Sequence, residues 1–330
     1  MWRHRAHGGL TEGSTIYYPL DTARNLFFLP RQNSKPFLGP TLTLHNSMAI
    51  VDPMRVESKL LILLLILFFV SVSGEAGEQK VAVSGSSTVM PLAELSAEEF
   101  NLLQDNYHVS VTSGGTGVGI VDAAEGRSDI AMASREIQLV ERQRYETSTK
   151  KFIEVPIGFD AICLVVSPDV YDSGVTTITK DELKQIYAGD ITNWEELGGP
   201  NTEIFVIGRK PGSGTRDTFD ETIMGSKEAE TPGITIEAAD SSEVKTAIQG
   251  SDNAIGYVGY SYVMKGDTKV VSLDGIQPTV ENIKNGTYAL ARKLYLITLG
   301  EPKPGAKAFI DYILSAAGQK IATENGFIPI

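Results

Sequence analysis

Three glycine- and hydroxyl-rich stretches, GSSTVMP from Gly85, SGGTGVG from Ser113 and GRKPGSGTRD from Gly208, each stand where a strand pattern gives way to a helical one. A chain that repeats this switch builds strand-to-helix units, whose loops gather at one end of a sheet. A helix start leaves backbone N–H groups unpaired and carries roughly half a positive charge. Three such ends meeting at one point suit a tetrahedral anion without much formal charge, with serine and threonine adding hydroxyl donors.

The same alternation runs from Gln79 onward. KVAVSG, HVSVTSG and DIAMAS are strand patterns, separated by helical stretches over Pro91–Leu103 and Gly117–Glu125 and followed by a polar one over Val140–Ser148. After the long apolar strand PIGFDAICLVVS comes an amphipathic helix over Lys180–Ala188, capped by Thr179. EIFVIG leads into the third glycine loop, a helical stretch over Ser242–Gln249 leads into NAIGYVGYSYV, and the chain closes on the amphipathic AKAFIDYILSAAGQKIATENGFIPI. The order predicts an α/β fold with largely parallel sheets. Apolar crossings near 155–166 and 253–262 divide it into two lobes, 78–157 with 260–330 and 158–259.

Leu60–Val70 is an unbroken apolar run with Arg55 and Lys59 before it and Ser71, Ser73 and Gly74 after it. A membrane span needs about 20 apolar residues, so 54–74 is expected to be an export signal, with an uncleaved anchor as the alternative. Residues 1–53 show neither period and are expected to be a non-native or disordered extension, with the native start at Met54 or Met48.

Residues 75–330 hold 22 basic and 37 acidic side chains, a net charge near −15. Nucleic acid is therefore not an expected partner, because backbone phosphates need a basic surface. A recessed site for a small anion is governed by its own dipoles and arginines, since the Debye length is about 8 Å. That region contains one histidine, His108, and one cysteine, Cys163, which sits inside the apolar FDAICLVVS and is expected to be a buried core thiol. No zinc or thiol cluster, nucleophile–base pair or GxxxxGK[ST] loop is visible, and neither a metal nor a cofactor is expected.

Six segments in order, GSSTVMPLAE, SGGTGVGIVDAAEGRSDIAMASRE, LKQIYAGDITNWEELGG, GRKPGSGTRDTF, AIGYVGYSYV and GQKIATENGFIPI, make the chain resemble the substrate-binding proteins of prokaryotic phosphate ABC transporters, from about Lys80 to Ile330. The resemblance implies a two-lobed periplasmic-binding-protein fold of type II that closes on one phosphate. It implies ligand contacts from Ser86, Ser87 and Thr88, with Ser87 and Thr88 favoured, from Thr116 with the Gly117 amide, and from Arg209, Ser213, Gly214 and Thr215. Ser134 and Arg135 follow the strand where well-known members carry an aspartate that accepts the proton of hydrogen phosphate. Pro211 replaces an acidic residue that orients the loop arginine in some members.

Among the neighbours, Arg216 is expected either in a structural ion pair or on the ligand. Asp160 is expected at the hinge, or as the substitute acceptor if Ser134 does not serve. The aromatics of GYVGYSYV are expected to pack in a strand. The implied function is a monomeric, extracytoplasmic, non-catalytic protein that captures inorganic phosphate and hands it to an ABC-transporter permease. A binder or sensor of sulfate, molybdate or tungstate, or a phosphatase on the same fold, are the alternatives.

Overall fold

The computed structural model describes residues 78–264 and 266–330. The expected extension over 1–53 and the signal over 54–74 lie outside the described residues. Among those described, no helix is long and apolar enough to cross a membrane.

The first lobe begins with β1 (Gln79–Gly85), α1 (Met90–Leu103), β2 (Tyr107–Ser113), α2 (Thr116–Ala124), β3 (Ile130–Ala133) and α3 (Leu139–Tyr145). β1 lies between β2 and β3 and is parallel to both, as expected of successive βα units. Helix α1 starts with Pro91 in its first turn and buries Leu92, Ala93, Ser96, Ala97 and Phe100, a stripe at helical spacing. Gly85 closes β1 at φ +133°, and a Cβ there would stand 2.4 Å from the Met132 carbonyl, so only glycine lets the first loop turn this close to β3.

The two lobes share one long strand, β4 (Phe152–Val166). Its first part pairs antiparallel with β10 (Ala291–Leu299), which inserts between β3 and β4. Its last five residues pair with β8 (Ala254–Gly259) on one side and, from Leu164, with β9 (Lys269–Leu273) on the other. Flanked on both edges and covered on both faces, that half reads as a continuous apolar run, with Ala161–Val166 fully buried. The second lobe's sheet is completed by β5 (Thr177–Ile178) beside β9, and by β6 (Phe205–Arg209) between β8 and β7 (Ile236–Ala238).

Its helices are α4 (Pro168–Asp172), α5 (Lys180–Ala188), α6 (Gly214–Phe219), α7 (Ser241–Gln249) and α8 (Val280–Lys284), with α6 running on as a wider turn to Met224. Helix α5 has the expected Thr179 cap, reinforced by Glu182 reaching back to the Thr179 amide. Helices α9 (Pro304–Leu314) and α10 (Ala316–Glu324) return to the first lobe, where Phe309, Ile310 and Ile313 join its core.

One expectation of the division changes. The apolar run near 253–262 is not a crossing: β8 is an inner strand of the second sheet, and β9, Ile283, Tyr288 and Leu290 also pair or pack there. The chain returns where Arg292 enters β10 opposite Asp160. A strand buried on both faces and a strand passing between lobes have the same apolar signature, so the pattern could not separate them. The aromatics divide as well. Tyr257 stacks on Phe219 at 4.2 Å within the strand, whereas Tyr260–Tyr262 form a 3-10 turn beyond it.

Candidate functional site

The glycine loops converge between the lobes. Thr88 Oγ1 from the first loop lies 3.0 Å from Thr215 Oγ1 at the start of α6. Thr116, at the start of α2, lies with its Oγ1 3.3 Å from Ser134 Oγ, and the Ser134 amide donates to Thr116 Oγ1 at 3.2 Å. A Cβ on Gly214 would stand 2.3 Å from Thr116 Oγ1 and 2.7 Å from Ser134 Oγ, so the lobes meet this closely only with glycine at that position. Thr88, Thr116, Ser134 and Thr215 are all at or below 2 % exposure, so their hydroxyl groups are screened from water where they meet.

Arg209, at the end of β6, is 1 % exposed. Nη1 donates to Ser241 Oγ, and Nη2 donates to Ser87 Oγ and the Ala239 carbonyl, each at 3.2 Å. Its Nε is buried without a partner. Among the described residues no carboxylate is hydrogen-bonded to this guanidinium, in keeping with Pro211 standing where some family members carry an acidic residue. Burial, the largest influence, pulls its pKa down, and the like charge of Arg292 pulls the same way. An anion in the cleft meets a charge that no protein carboxylate cancels at hydrogen-bond range.

Four expected contact groups have partners within the protein, although Ser86 and Ser213 act there as acceptors and keep a hydroxyl hydrogen to donate. Ser86 Oγ accepts the Thr88 amide within its own turn. Ser213 Oγ caps α6 by accepting the Arg216 amide. The Gly117 amide donates to the Gly212 carbonyl at 3.0 Å, a contact between lobes. Arg135 is engaged by Glu141 at 2.8 and 2.9 Å and by Asp217 at 2.6 Å, so its fork is turned to carboxylates. The glycine-loop pattern places such residues near the cleft, but it does not say which way each donor faces.

Arg216 takes the structural alternative. It pairs with Asp220 and Glu237 and donates to the Arg209 carbonyl at 2.6 Å. Asp160 is 1 % exposed, with Oδ1 accepting the Tyr260 amide and Oδ2 accepting Nε and Nη2 of Arg292.

Two members of the cluster were not foreseen. Ser241, the first residue of α7, joins Ser87 and Arg209. Arg292 on β10 donates through Nη2 to Thr88 Oγ1 at 3.2 Å and Thr215 Oγ1 at 3.1 Å, tying it to hydroxyls of both lobes. Ser241 sits in DSSEV, a recognisable helix start after Asp240, which could have marked it. Arg292 sits in an ordinary strand pattern that carries no such mark.

The arrangement is a buried cluster of hydroxyl groups and two guanidiniums, fitted to hold an oxyanion by many short polar contacts. Residues 71–317 match the model of the PBP superfamily domain. The phosphate-binding protein PstS of Bacillus subtilis is 32 % identical over 295 residues, covering 83 % of this chain and 95 % of that protein. A substrate-binding protein of a phosphate ABC transporter from Clostridium perfringens, solved with bound phosphate, is 36 % identical with a TM-score of 0.70, covering 76 % of this chain and all of that one. An ABC-type phosphate transport receptor from Vibrio cholerae is 29 % identical with a TM-score of 0.62, over 76 % of this chain and all of that one. With the two-lobed fold and these relatives together, the chain belongs to the phosphate-binding-protein family of the PBP superfamily.

Proposed function

We propose that this protein captures inorganic phosphate outside the cytoplasm and delivers it to the membrane permease of an ABC transporter, acting as a monomer and catalysing no reaction. The observation that carries the reading is the convergence of Thr88, Thr116, Ser134 and Thr215 with Arg209 between two lobes of a chain from this family. Closure brings donors from both sides onto one ligand, which is how a binding protein turns affinity into a change of shape that a permease can read. The extracytoplasmic setting is supported by the signal-like run over 60–70.

Selectivity follows from which group accepts the proton of hydrogen phosphate. Both oxygens of Asp160 face protein donors, Oδ1 the Tyr260 amide and Oδ2 Arg292, which favours Ser134 as the acceptor. Thr116 Oγ1 already accepts the Ser134 amide, and it can take the Ser134 hydroxyl hydrogen as well, at 3.3 Å. Ser134 then turns its lone pairs to the cleft and penalises sulfate, which has no proton to give.

Calorimetric titration with phosphate, sulfate, molybdate and tungstate over about pH 5 to 9, a range in which phosphate groups change charge, tests this. The expected result is tight phosphate binding with sulfate weaker by about 100-fold or more. Comparable affinities for sulfate and phosphate at neutral pH would leave a general oxyanion binder. Tighter binding of molybdate or tungstate would move the assignment to that anion.

A further inference from the structure

Arg292 has a geometry that its pairing with Asp160 does not exhaust. Its side chain is 5 % exposed, and it donates from Nε and Nη2 to Asp160 Oδ2 at 2.9 and 2.8 Å. Nη2 also donates to Thr88 Oγ1 and Thr215 Oγ1, while Nη1 is buried and has no hydrogen-bond partner among the described residues. A guanidinium has five donors in one plane, and a buried pair left unmatched carries a desolvation cost. We infer that Arg292 is a direct second guanidinium ligand of the bound anion, completing its fork through Nη1.

Three observations converge on this role. First, both threonine hydroxyls accept from Nη2 and one of them donates to the other at 3.0 Å, so one hydroxyl hydrogen remains to be donated. A ligand oxygen that takes it lies beside the guanidinium, between the first and third loops. Second, Arg209 approaches the cleft with its Nε unmatched as well, so two buried guanidiniums each keep unused donors around one cluster of hydroxyls. Third, the site keeps a net positive charge for an anion. Asp160 offsets Arg292, Arg209 has no hydrogen-bonded carboxylate, and the Arg292 charge acts on Arg209 in the direction an anion between them would relieve.

Its position gives Arg292 a task that the loops cannot perform. Arg292 stands opposite Asp160 in the antiparallel register of β10 and β4, where the chain passes from one lobe to the other. The loop donors belong to one lobe or the other, whereas this donor is fixed to the strands that join them. An anion held by Arg292 is therefore anchored at the hinge before the loops close on it.

The inference rests on the oxyanion-binding reading, and the test keeps the two apart. Wild type, Arg292→Lys and the charge-neutral double variant Arg292→Gln with Asp160→Asn are titrated calorimetrically with inorganic phosphate and with sulfate. Folding is followed by circular dichroism and thermal melting. The double variant removes both buried charges together, so that neither is stranded. It is expected to melt cooperatively and to bind phosphate about tenfold or more weakly, the loss of charge-assisted hydrogen bonds to the ligand. Wild-type affinity in the folded double variant overturns the inference and leaves Arg292 as a staple between β4 and β10. If that variant does not fold, Arg292→Lys decides, since lysine keeps the charge beside Asp160 without the planar fork. Weaker binding then supports the inference, and unchanged binding overturns it. If wild type prefers sulfate over phosphate, the phosphate reading fails, and Arg292 is judged by the same comparison made with sulfate.

Discussion

Arg135 of the first lobe and Asp217 of the second form an ion pair across the cleft, Nε to Oδ2 at 2.6 Å, with the side chains 7 % and 17 % exposed. Gln138 adds a second donor to the same carboxylate oxygen at 3.2 Å. Burial works against the charge on Arg135, but Glu141 and Asp217 outweigh it and hold its pKa above the ordinary arginine value. The pair links the two lobes beside the hydroxyl cluster, one residue past Ser134 and two past Thr215, and is expected to act as a latch on closure. Asp217→Asn is expected to leave the hydroxyl cluster intact yet speed phosphate release about three- to tenfold, since closure loses one partly buried charge pair. Stopped-flow release and small-angle scattering check it, and an unchanged release rate with unchanged closure would show that the latch carries no weight.

Arg209 and Arg216 lie seven residues apart and face different tasks. Arg209→Ala is expected to cost about 2 to 5 kcal/mol of binding, because it removes a buried charged donor from the anion's surroundings. Arg216→Ala strips Asp220 of its ion-pair partner and is expected to cost about 3 kcal/mol of folding stability, with a smaller loss of affinity. Urea unfolding and phosphate titration of both variants separate the two effects. Equal losses of affinity would place Arg216 on the ligand.

Burial pushes the Asp220 carboxyl up to about 6, against the pull of Arg216 and with a further push from Asp217. A folded value above the unfolded one, near 3.9, means that protonated Asp220 favours the folded state. Its contribution is full below about pH 4 and is lost as pH rises through about 6. Asp220→Asn cannot titrate, so the stability difference, wild type minus variant, is expected to fall across that window and then level off. Urea unfolding of both proteins from about pH 4 to 8 measures it. Parallel curves would remove Asp220 from the pH response.

The candidate site was legible where its signal was local. The three loops that bring Ser87, Thr88, Thr116, Arg209, Gly214 and Thr215 together were marked by glycines and hydroxyls at strand ends, where α/β sheets place their loops, and the choice of residues within them came from the family resemblance. Ser86, Ser213 and Arg135 carried the same local signal. In the structure they also serve a turn, a helix cap and an ion pair between the lobes, because those partners are settled by packing.

What the amino-acid sequence determined by itself is the alternation of strands and helices, the three loops, the acidic surface and the scarcity of catalytic side chains, since each depends on spacing or composition alone. Only the tertiary structure decided that the apolar run at Ala254–Gly259 is an inner strand, and that the chain returns to the first lobe at Arg292. It also decided that Arg292, 132 positions from Asp160 along the chain, pairs with it and reaches hydroxyls from both lobes. The physical reason is that an arginine in a strand has the same local pattern whether its side chain meets solvent or a buried carboxylate. The register that chooses between them is set by strands brought together from far apart.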